Sequence, residues 1–428
     1  MAQHMSRKNR RKDETLTAAL DIGASKISCF IARITSGADL APQAEIIGVG
    51  HYGLPLRSKG AARSDQIETG VRGAVEAAER MAGERIQSVS VSVPGRFLHG
   101  QRIGVDLEIA GGYITEEDIE DTLSEGAAIA APADCAALHA SPIGFMVDGE
   151  ETFADPAGLS GSVLSTEMLG VGARQSVLDN HSTLIERCGL KVEMFAAAPY
   201  AAAEATLIED EKELGVVLID IGAASTGYAV YDNGRLIDCG GVAIGGGHIT
   251  KDIAQIFGTP LGHAERVKTL QGAALIGPGD EHRFVDFPQL GVVGETARAS
   301  RADLCEVIIP RMEEIFELVL EKLPNDGLRR SGLRRAVITG GGSLLVGARE
   351  ISERTLSMKS RLGRPISIAG APEAVNAPGF AVCAGLIQNT INLGVKPKSG
   401  LGVFGQSAHS GRTRPLFGVV EAWLRAKF

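Results

Sequence analysis

The sequence predicts an α/β fold of two similar, strand-led halves, each carrying an insertion, followed by a tether and a terminal helix. Three observations predict it. Residues 20–30 read LDIGASKISCF and residues 219–231 read IDIGAASTGYAVY, so one pattern occurs twice, far apart in the chain: an apolar run that ends in Asp, Gly and hydroxyls. Strand and helix signals alternate within each half. At 428 residues the chain also exceeds what a single core holds.

Composition narrows the function classes. A net charge of −9 speaks against a nucleic-acid partner, which a basic surface would serve better. The six cysteines (Cys29, Cys135, Cys188, Cys239, Cys305, Cys383) form no CxxC pair, which argues against a zinc site, and most sit among apolar neighbours, which reads as buried free thiols in a reducing compartment. No apolar run is long enough to cross a membrane. The basic stretch SRKNRRKDE near the start reads as a disordered arm.

In chain order, TAALDIGASKISCFIARI is a strand, a tight turn and a second strand, and AEIIGVGHYG is a third. Residues 64–82 carry Ile67, Val71, Val75, Ala78 and Met81 near helical spacing, with Ser64 or Asp65 as cap. SVSVSVPG (88–95) alternates as a strand, and residues 99–179 then interrupt the pattern as an inserted unit. The second block begins with helices over 182–190 and the Ala-rich 196–209. A hairpin over GVVLIDIGAASTGYAVYDNGRLID follows, with Asn233-Gly234 as its turn. A helix follows GGGHITKDIAQIFG. The polar stretch 262–331 suggests a second insertion, with a helix near 304–323. RRAVITGGGSLLVGARE reads strand, glycine turn, helix, and GFAVCAGLIQNTI is a further helix. PKSGLGVFGQSAHSGR (397–412) is a linker.

The repeated stretch has a definite chemistry. Asp21 sits at a strand tip, Gly23 lets backbone come close to a ligand, and Ala24, Ser25 and Lys26 form a turn whose amides make an anion nest. Lys26 can neutralise phosphate, whereas Asp21 suits phosphate only through hydrated Mg²⁺. The second copy has Asp220, Gly222, Ser225 and Thr226, with hydroxyls and no lysine. Two such hairpins facing each other would clamp a polyphosphate. ITGGGS supplies Gly340, Gly341, Gly342 and Ser343 for backbone to lie against a flat ligand, with the N-terminus of the helix that follows facing it, and Gly246 counts among the expected nucleotide contacts. Glu265 and Lys268 share a helix face at i, i+3. They read either as a surface ion pair or as contacts to ribose and base. A plain tight turn explains any one of these pieces; their order and spacing together point to a nucleotide.

This order resembles the actin-like ATPase superfamily, with LDIGASK as first phosphate loop, IDIGAAST as second and ITGGGS as adenosine loop. Within it the chain is similar to the bacterial FtsA cell-division family through DPAGLSG, ERCGLKVEMF, IEDEKELGVVLIDIG, FGTPLGHAERVK and the terminal LFGVVEAWLRAKF. The resemblance implies an actin-like two-domain fold of duplicated RNase H-like halves. Subdomain 1B is absent and an SHS2-type subdomain 1C is inserted. It divides the chain into an arm (1–13), 1A (14–97, 180–214, 381–396), 1C (98–179), 2A (215–249, 332–380), 2B (250–331), a linker (397–412) and an amphipathic membrane-targeting helix (413–428). It implies ATP and Mg²⁺ in the cleft, with Asp21 and Asp220 holding the metal through water. Its implied partners are the FtsZ C-terminal peptide at 2B, other copies in actin-like filaments, anionic lipids, and later division proteins through 1C. The implied place is the cytoplasmic face of the inner membrane at the division site. Rival readings are a PilM-type pilus-assembly homologue and a sugar- or acetate-kinase-like phosphotransferase. Where many family members read Gly-Gly-Gly-Thr, this chain has Ala223, Ala224 and Ser225 after Gly222, which places two methyls where backbone usually meets phosphate.

No catalytic residue is assigned. Active hydrolases of the superfamily carry Gln or Glu on the helix before the second hairpin. Here alanines around Ala198 occupy that place and Glu204 stands about a turn and a half too far along. Slow or negligible hydrolysis is expected. On a helical wheel, Leu416, Phe417, Val419, Val420, Trp423, Leu424 and Phe428 share one face. Arg425 and Lys427 add basic charge, so the helix is expected to lie in an anionic membrane surface.

Overall fold

The computed structural model describes residues 14–37, 40–55, 64–152, 155–291, 294–323, 333–366 and 368–392. The expected arm, linker and terminal helix, with every proposed membrane residue from Leu416 to Phe428, lie outside the described residues.

The two halves repeat one sheet. The first half contains β1 (Glu14–Ile22), β2 (Lys26–Gly37), β3 (Leu40–Gly53), helix α1 (Ser64–Ala82) and β4 (Ser88–Val93). Its sheet runs β3-β2-β1-β4-β9, the last strand being β9 (Lys191–Ala197). The second contains β10 (Val216–Ile221), β11 (Thr226–Asp232), β12 (Arg235–Val242), β15 (Arg335–Thr339) and β16 (Lys359–Leu362), in the order β12-β11-β10-β15-β16. In each sheet the first three strands pair antiparallel and the last two join in parallel. The central strands are apolar on both faces, as buried mixed sheets require. Leu20, Phe30 and Ile31 are fully buried in one core, and Val217, Ile219 and Ile338 in the other. Burying each such side chain stabilises by about 1.5–3 kcal/mol.

The insertions leave these sheets at different points. After β4 the chain builds β5 (Leu98–Glu108), helix α2 (Glu116–Ile129), β6 (Cys135–Val147), β7 (Glu150–Thr152) and β8 (Val163–Arg174), a separate sheet in the order β5-β8-β6-β7. Thr115 and Asp118 cap α2 reciprocally, and Leu123, Leu164 and Met168 close its own core. Helix α3 (Gln175–Arg187) leads to β9, then come α4 (Ala198–Thr206) and α5 (Glu209–Leu214). The inserted sheet touches both halves: His139 Nε2 accepts from the Ala197 amide at 2.9 Å, and the Arg235 guanidinium donates to the Ile143 carbonyl at 2.9 Å. In the second half, α6 (Gly246–Ile256), α7 (Leu261–Gln271), the hairpin β13 (Phe284–Pro288) and β14 (Thr296–Ser300), and α8 (Arg301–Lys322) stand between β12 and β15. Helix α9 (Ala348–Leu356) covers the second sheet, and α10 (Ala381–Asn392) returns to the first.

Two expectations change. The stretch expected to be helical over 196–209 begins as strand, because β9 extends to Ala197 before α4 starts; pairing beside buried β4 overrides the helical preference of alanine. The helix expected over 182–190 spans Gln175–Arg187 instead. The Asn233-Gly234 turn is as expected, with φ of 50° and 73° at its two residues. Helices α4 and α10 cross at backbone contact: a Cβ on Gly385 would lie 1.6 Å from the Ala201 carbonyl oxygen, so only glycine fits there. Among the described residues, no helix is long and apolar enough to cross a membrane.

Candidate functional site

The two repeated stretches fold into the same turn. Between β1 and β2 the Gly23 amide donates to the Lys26 carbonyl at 2.9 Å; between β10 and β11 the Gly222 amide donates to the Ser225 carbonyl at 3.0 Å. A Cβ would meet those carbonyl oxygens at 2.7 Å on Gly23 and 2.9 Å on Gly222. The glycines are therefore required by the turn itself, before any ligand is considered. Among the described residues the amides of Ala24, Ser25, Ala223 and Ala224 make no hydrogen bond, which leaves donors at both turn tips.

The turns face a third, between β15 and α9. Gly340, at φ +81°, brings its Cα against Asp220: a Cβ there would lie 2.3 Å from the carboxylate oxygen. Gly342 packs on Ile221 in the same way, at 2.4 Å. The start of α6 closes the ring, as the Gly246 and Gly247 amides donate to the Gly222 and Ala223 carbonyls at 2.9 and 2.8 Å. A cavity of about 220 Å³ lies among them. Its walls include Ser25 from the first turn, Gly222 and Ala223 from the second, Gly246, Gly247 and Ile249 from α6, and Glu265, Lys268 and Thr269 from α7. Gly341, Gly342 and the apolar run Leu344–Val346 complete them.

Three charged groups lie behind this ring. Burial pushes the Asp220 carboxyl up to about 7, with Asp21 adding to the rise and Lys26 opposing it. Burial also raises Asp21, against a 2.6 Å hydrogen bond from Ser92 and the charge of Lys26. Burial lowers the Lys26 ammonium, against the pull of Asp21. Two carboxylates share one lysine, so the trio accommodates a further cation. With no group of three or more metal-ligating side chains among the described residues, the pair fits an ion that keeps most of its waters, as Mg²⁺ does.

The cavity thus gathers Ser25, Gly222, Gly246, Glu265, Lys268, Gly341 and Gly342 from the residues singled out in the sequence. Ala24 is exposed at the turn tip, and the Ser225 carbonyl is tied within its own turn. Two hydroxyls expected at the nucleotide point elsewhere. Buried Thr226 donates to the Ile244 carbonyl at 2.8 Å, and buried Ser343 to the Gly340 carbonyl at 2.7 Å, so each stabilises backbone. Lys268 makes an ion pair with Glu265 at 2.7 Å and also donates to Thr250 Oγ1 and the Gly246 carbonyl, at 2.8 and 3.0 Å. Two of its protons join α6 to α7 and the third pairs within α7, while Glu265 keeps an open edge. Sequence reasoning passed over Ser92, although a wholly buried serine on a parallel strand needs a partner. It also passed over Leu344–Val346, an apolar run directly after the glycine turn.

Glu204 lies in a separate network. It accepts from Lys212 at 3.2 Å, from the Tyr231 hydroxyl at 3.0 Å and from Asn392 at 3.2 Å.

Comparison with known proteins agrees with this geometry. Residues 217–385 match the family described as cell division protein FtsA. Residues 95–171 match the SHS2 domain inserted in FtsA, and residues 157–274 the type IV pilus assembly protein PilM. The cell division protein FtsA of Agrobacterium fabrum is 33% identical over 389 residues, covering 88% of this chain and 87% of its own. That of Pseudomonas aeruginosa is 30% identical over 417 residues, 96% of this chain and 98% of its own. That of Escherichia coli K12 is 30% identical over 385 residues, 88% and 90%. Among solved structures, a chain of the PilM–PilN type IV pilus biogenesis complex superposes with a TM-score of 0.59 at 16% identity, over 88% of this chain and 98% of that one. The fold is the actin-like one, with an SHS2 domain inserted.

Proposed function

The chain belongs to the FtsA family of cell-division proteins, and from that premise we propose that it binds ATP with Mg²⁺ and assembles as actin-like filaments on the cytoplasmic face of the inner membrane. There it tethers the FtsZ ring through subdomain 2B and recruits later division proteins through the inserted 1C. The observation that carries the nucleotide reading is one cavity bounded by two Gly-led turns closed by the same backbone bond and by a glycine-rich third. Bound ATP supplies a polyphosphate that links the halves, and Mg²⁺ the positive charge that Asp21 and Asp220 lack. The free turn amides and Ser25 bind phosphate oxygens, Lys26 neutralises them, and Gly341, Gly342 and Leu344–Val346 offer a flat wall for the base.

Hydrolysis is slow in this reading. Ala198 stands where an active hydrolase needs a water-orienting group, and Glu204 is held by Lys212, Tyr231 and Asn392. A turnover rate typical of robust ATPases would refute it. The pilus-assembly reading rests on residues 157–274, whereas relatives described as cell division protein FtsA match 88–96% of the chain; neither it nor the kinase reading is favoured.

Membrane attachment rests on the sequence of 413–428. Leu416, Phe417, Val420, Trp423, Leu424 and Phe428 form the apolar face, with Arg425 and Lys427 toward anionic lipid. Thirteen or so helical residues reach roughly 20 Å, which suits an interfacial position and not a span. Many helices on one filament bind with avidity. Vesicle flotation tests this: Trp423→Glu is expected to release the protein from anionic vesicles while ATP binding persists. Flotation that survives the substitution counts against it.

A further inference from the structure

Lys26 does not line the cavity that its neighbour Ser25 lines. Its Nζ donates instead to the Gly379 carbonyl and sits 3.8 Å from the centroid of the Phe380 ring. That ring stacks on Phe30 at 5.9 Å and lies T-shaped to His51 at 6.2 Å. The same short turn, Pro378–Phe380, also touches the glycine-rich loop. The Pro378 carbonyl accepts from the Gly340 amide and from Thr339 Oγ1, each at 3.3 Å, and a Cβ on Gly379 would lie 3.9 Å from Gly341 Cα. Helix α10 starts at the next residue. Three consecutive residues thus connect the lysine of one half to the loop of the other, although Lys26 and Gly379 stand 353 residues apart in the chain.

We propose that the Pro378–Phe380 turn is a resting dock for Lys26: the Gly379 carbonyl and the Phe380 face hold the ammonium in the ligand-free protein, and a polyphosphate in the cleft must win it from them. A partly desolvated ammonium needs such partners, and a carbonyl with an aromatic face supplies them. Every interaction made only in the ligand-free state subtracts from affinity, because binding must break it. Phe380 is then a positioning residue that sets how readily Lys26 reaches phosphate. Exchange of Lys26 to phosphate frees the turn, so occupancy of the cleft is felt at Gly340 and at the start of α10. This inference rests on the nucleotide reading above.

The test uses the full chain, ATP titrated calorimetrically with Mg²⁺, and acylation of Lys26 in the ligand-free protein read by mass spectrometry. Phe380→Leu keeps an apolar group and removes the ring face; it is expected to tighten ATP binding about threefold to tenfold and to speed Lys26 acylation severalfold. Phe380→Tyr keeps the face and is expected to stay within about twofold of the parent in both. Should the Leu variant fail to fold in thermal melts, Phe380→Met takes its place. Equal or weaker ATP binding with unchanged acylation in the ring-less variant overturns the dock and leaves the nucleotide reading standing. Absence of ATP binding by the unaltered chain overturns both.

Discussion

The two turns at the heads of the two halves share a backbone and differ in charge. Gly23–Lys26 and Gly222–Ser225 close through the same amide-to-carbonyl bond, at 2.9 and 3.0 Å, and each places an aspartate two residues before the glycine. At the closing position one has lysine and the other serine. Their supports also differ. The first turn gives its Ser25 carbonyl to the Leu54 amide, whereas the second gives two carbonyls to the first amides of α6. Duplication therefore preserved the backbone geometry of the turn, while cationic charge stayed on one side only and helix anchoring on the other.

The largest expected effect probes that asymmetry of charge. Lys26→Ala is expected to weaken ATP binding by roughly a hundredfold, whereas Ser225→Ala stays within about threefold. Calorimetric titration of both variants checks it, and equal losses would break the distinction. The shared backbone is tested next. Gly23→Ala and Gly222→Ala each force a Cβ under 3.0 Å from a carbonyl oxygen, so each is expected to cost about 1–3 kcal/mol in urea unfolding, Gly23 the more. A neutral result at either turn would mean that the backbone yields more easily than this packing indicates.

A third effect separates Asp220, beside the second turn, from His139 of the inserted sheet by pH. The folded Asp220 carboxyl, at about 7, lies above its ordinary value of 3.8. Between these values the folded chain keeps a proton that the unfolded chain has lost, so Asp220 makes the ligand-free protein less stable as pH rises from about 4 to 7. Asp220→Asn is expected to raise the melting temperature at pH 8 and to leave it nearly unchanged at pH 4. His139 acts with the opposite sign. Burial holds it at about 4, below 6.5, so its contribution is complete above 6.5 and is lost as pH falls toward 4. Melting curves across pH 4–8 for Asp220→Asn and His139→Gln distinguish the two. The smallest effect concerns the methyl groups of the second turn. Ala224→Gly is expected to tighten ATP binding by no more than about threefold, while costing about 0.4–1 kcal/mol of stability through added freedom of the unfolded chain.

The comparison also shows what a sequence can carry. The paired turns, α1 and the Asn233-Gly234 turn were legible because their signals are local: glycine placement, helical spacing and a positive φ. The direction of a hydroxyl was not. Thr226 looks like a ligand contact by type, yet as the first residue of β11 it points inward to the Ile244 carbonyl. Lys268 and Glu265 were legible as a pair, but Thr250, which completes the set, arrives from another helix. The end of β9 was hidden because Ala196 and Ala197 favour helix locally and become strand only through their pairing with β4. Phe380 could not be tied to Lys26 by any local pattern, since tertiary packing alone brings them together.

Hydrogen exchange at the two turns tests the central claim most directly. If ATP with Mg²⁺ is clamped between the halves, the amides of Ala24 and Ser25 and those of Ala223 and Ala224 slow together on its addition, along with Gly341 and Gly342. Protection confined to one turn, with the other exchanging as it does without nucleotide, would contradict the clamp.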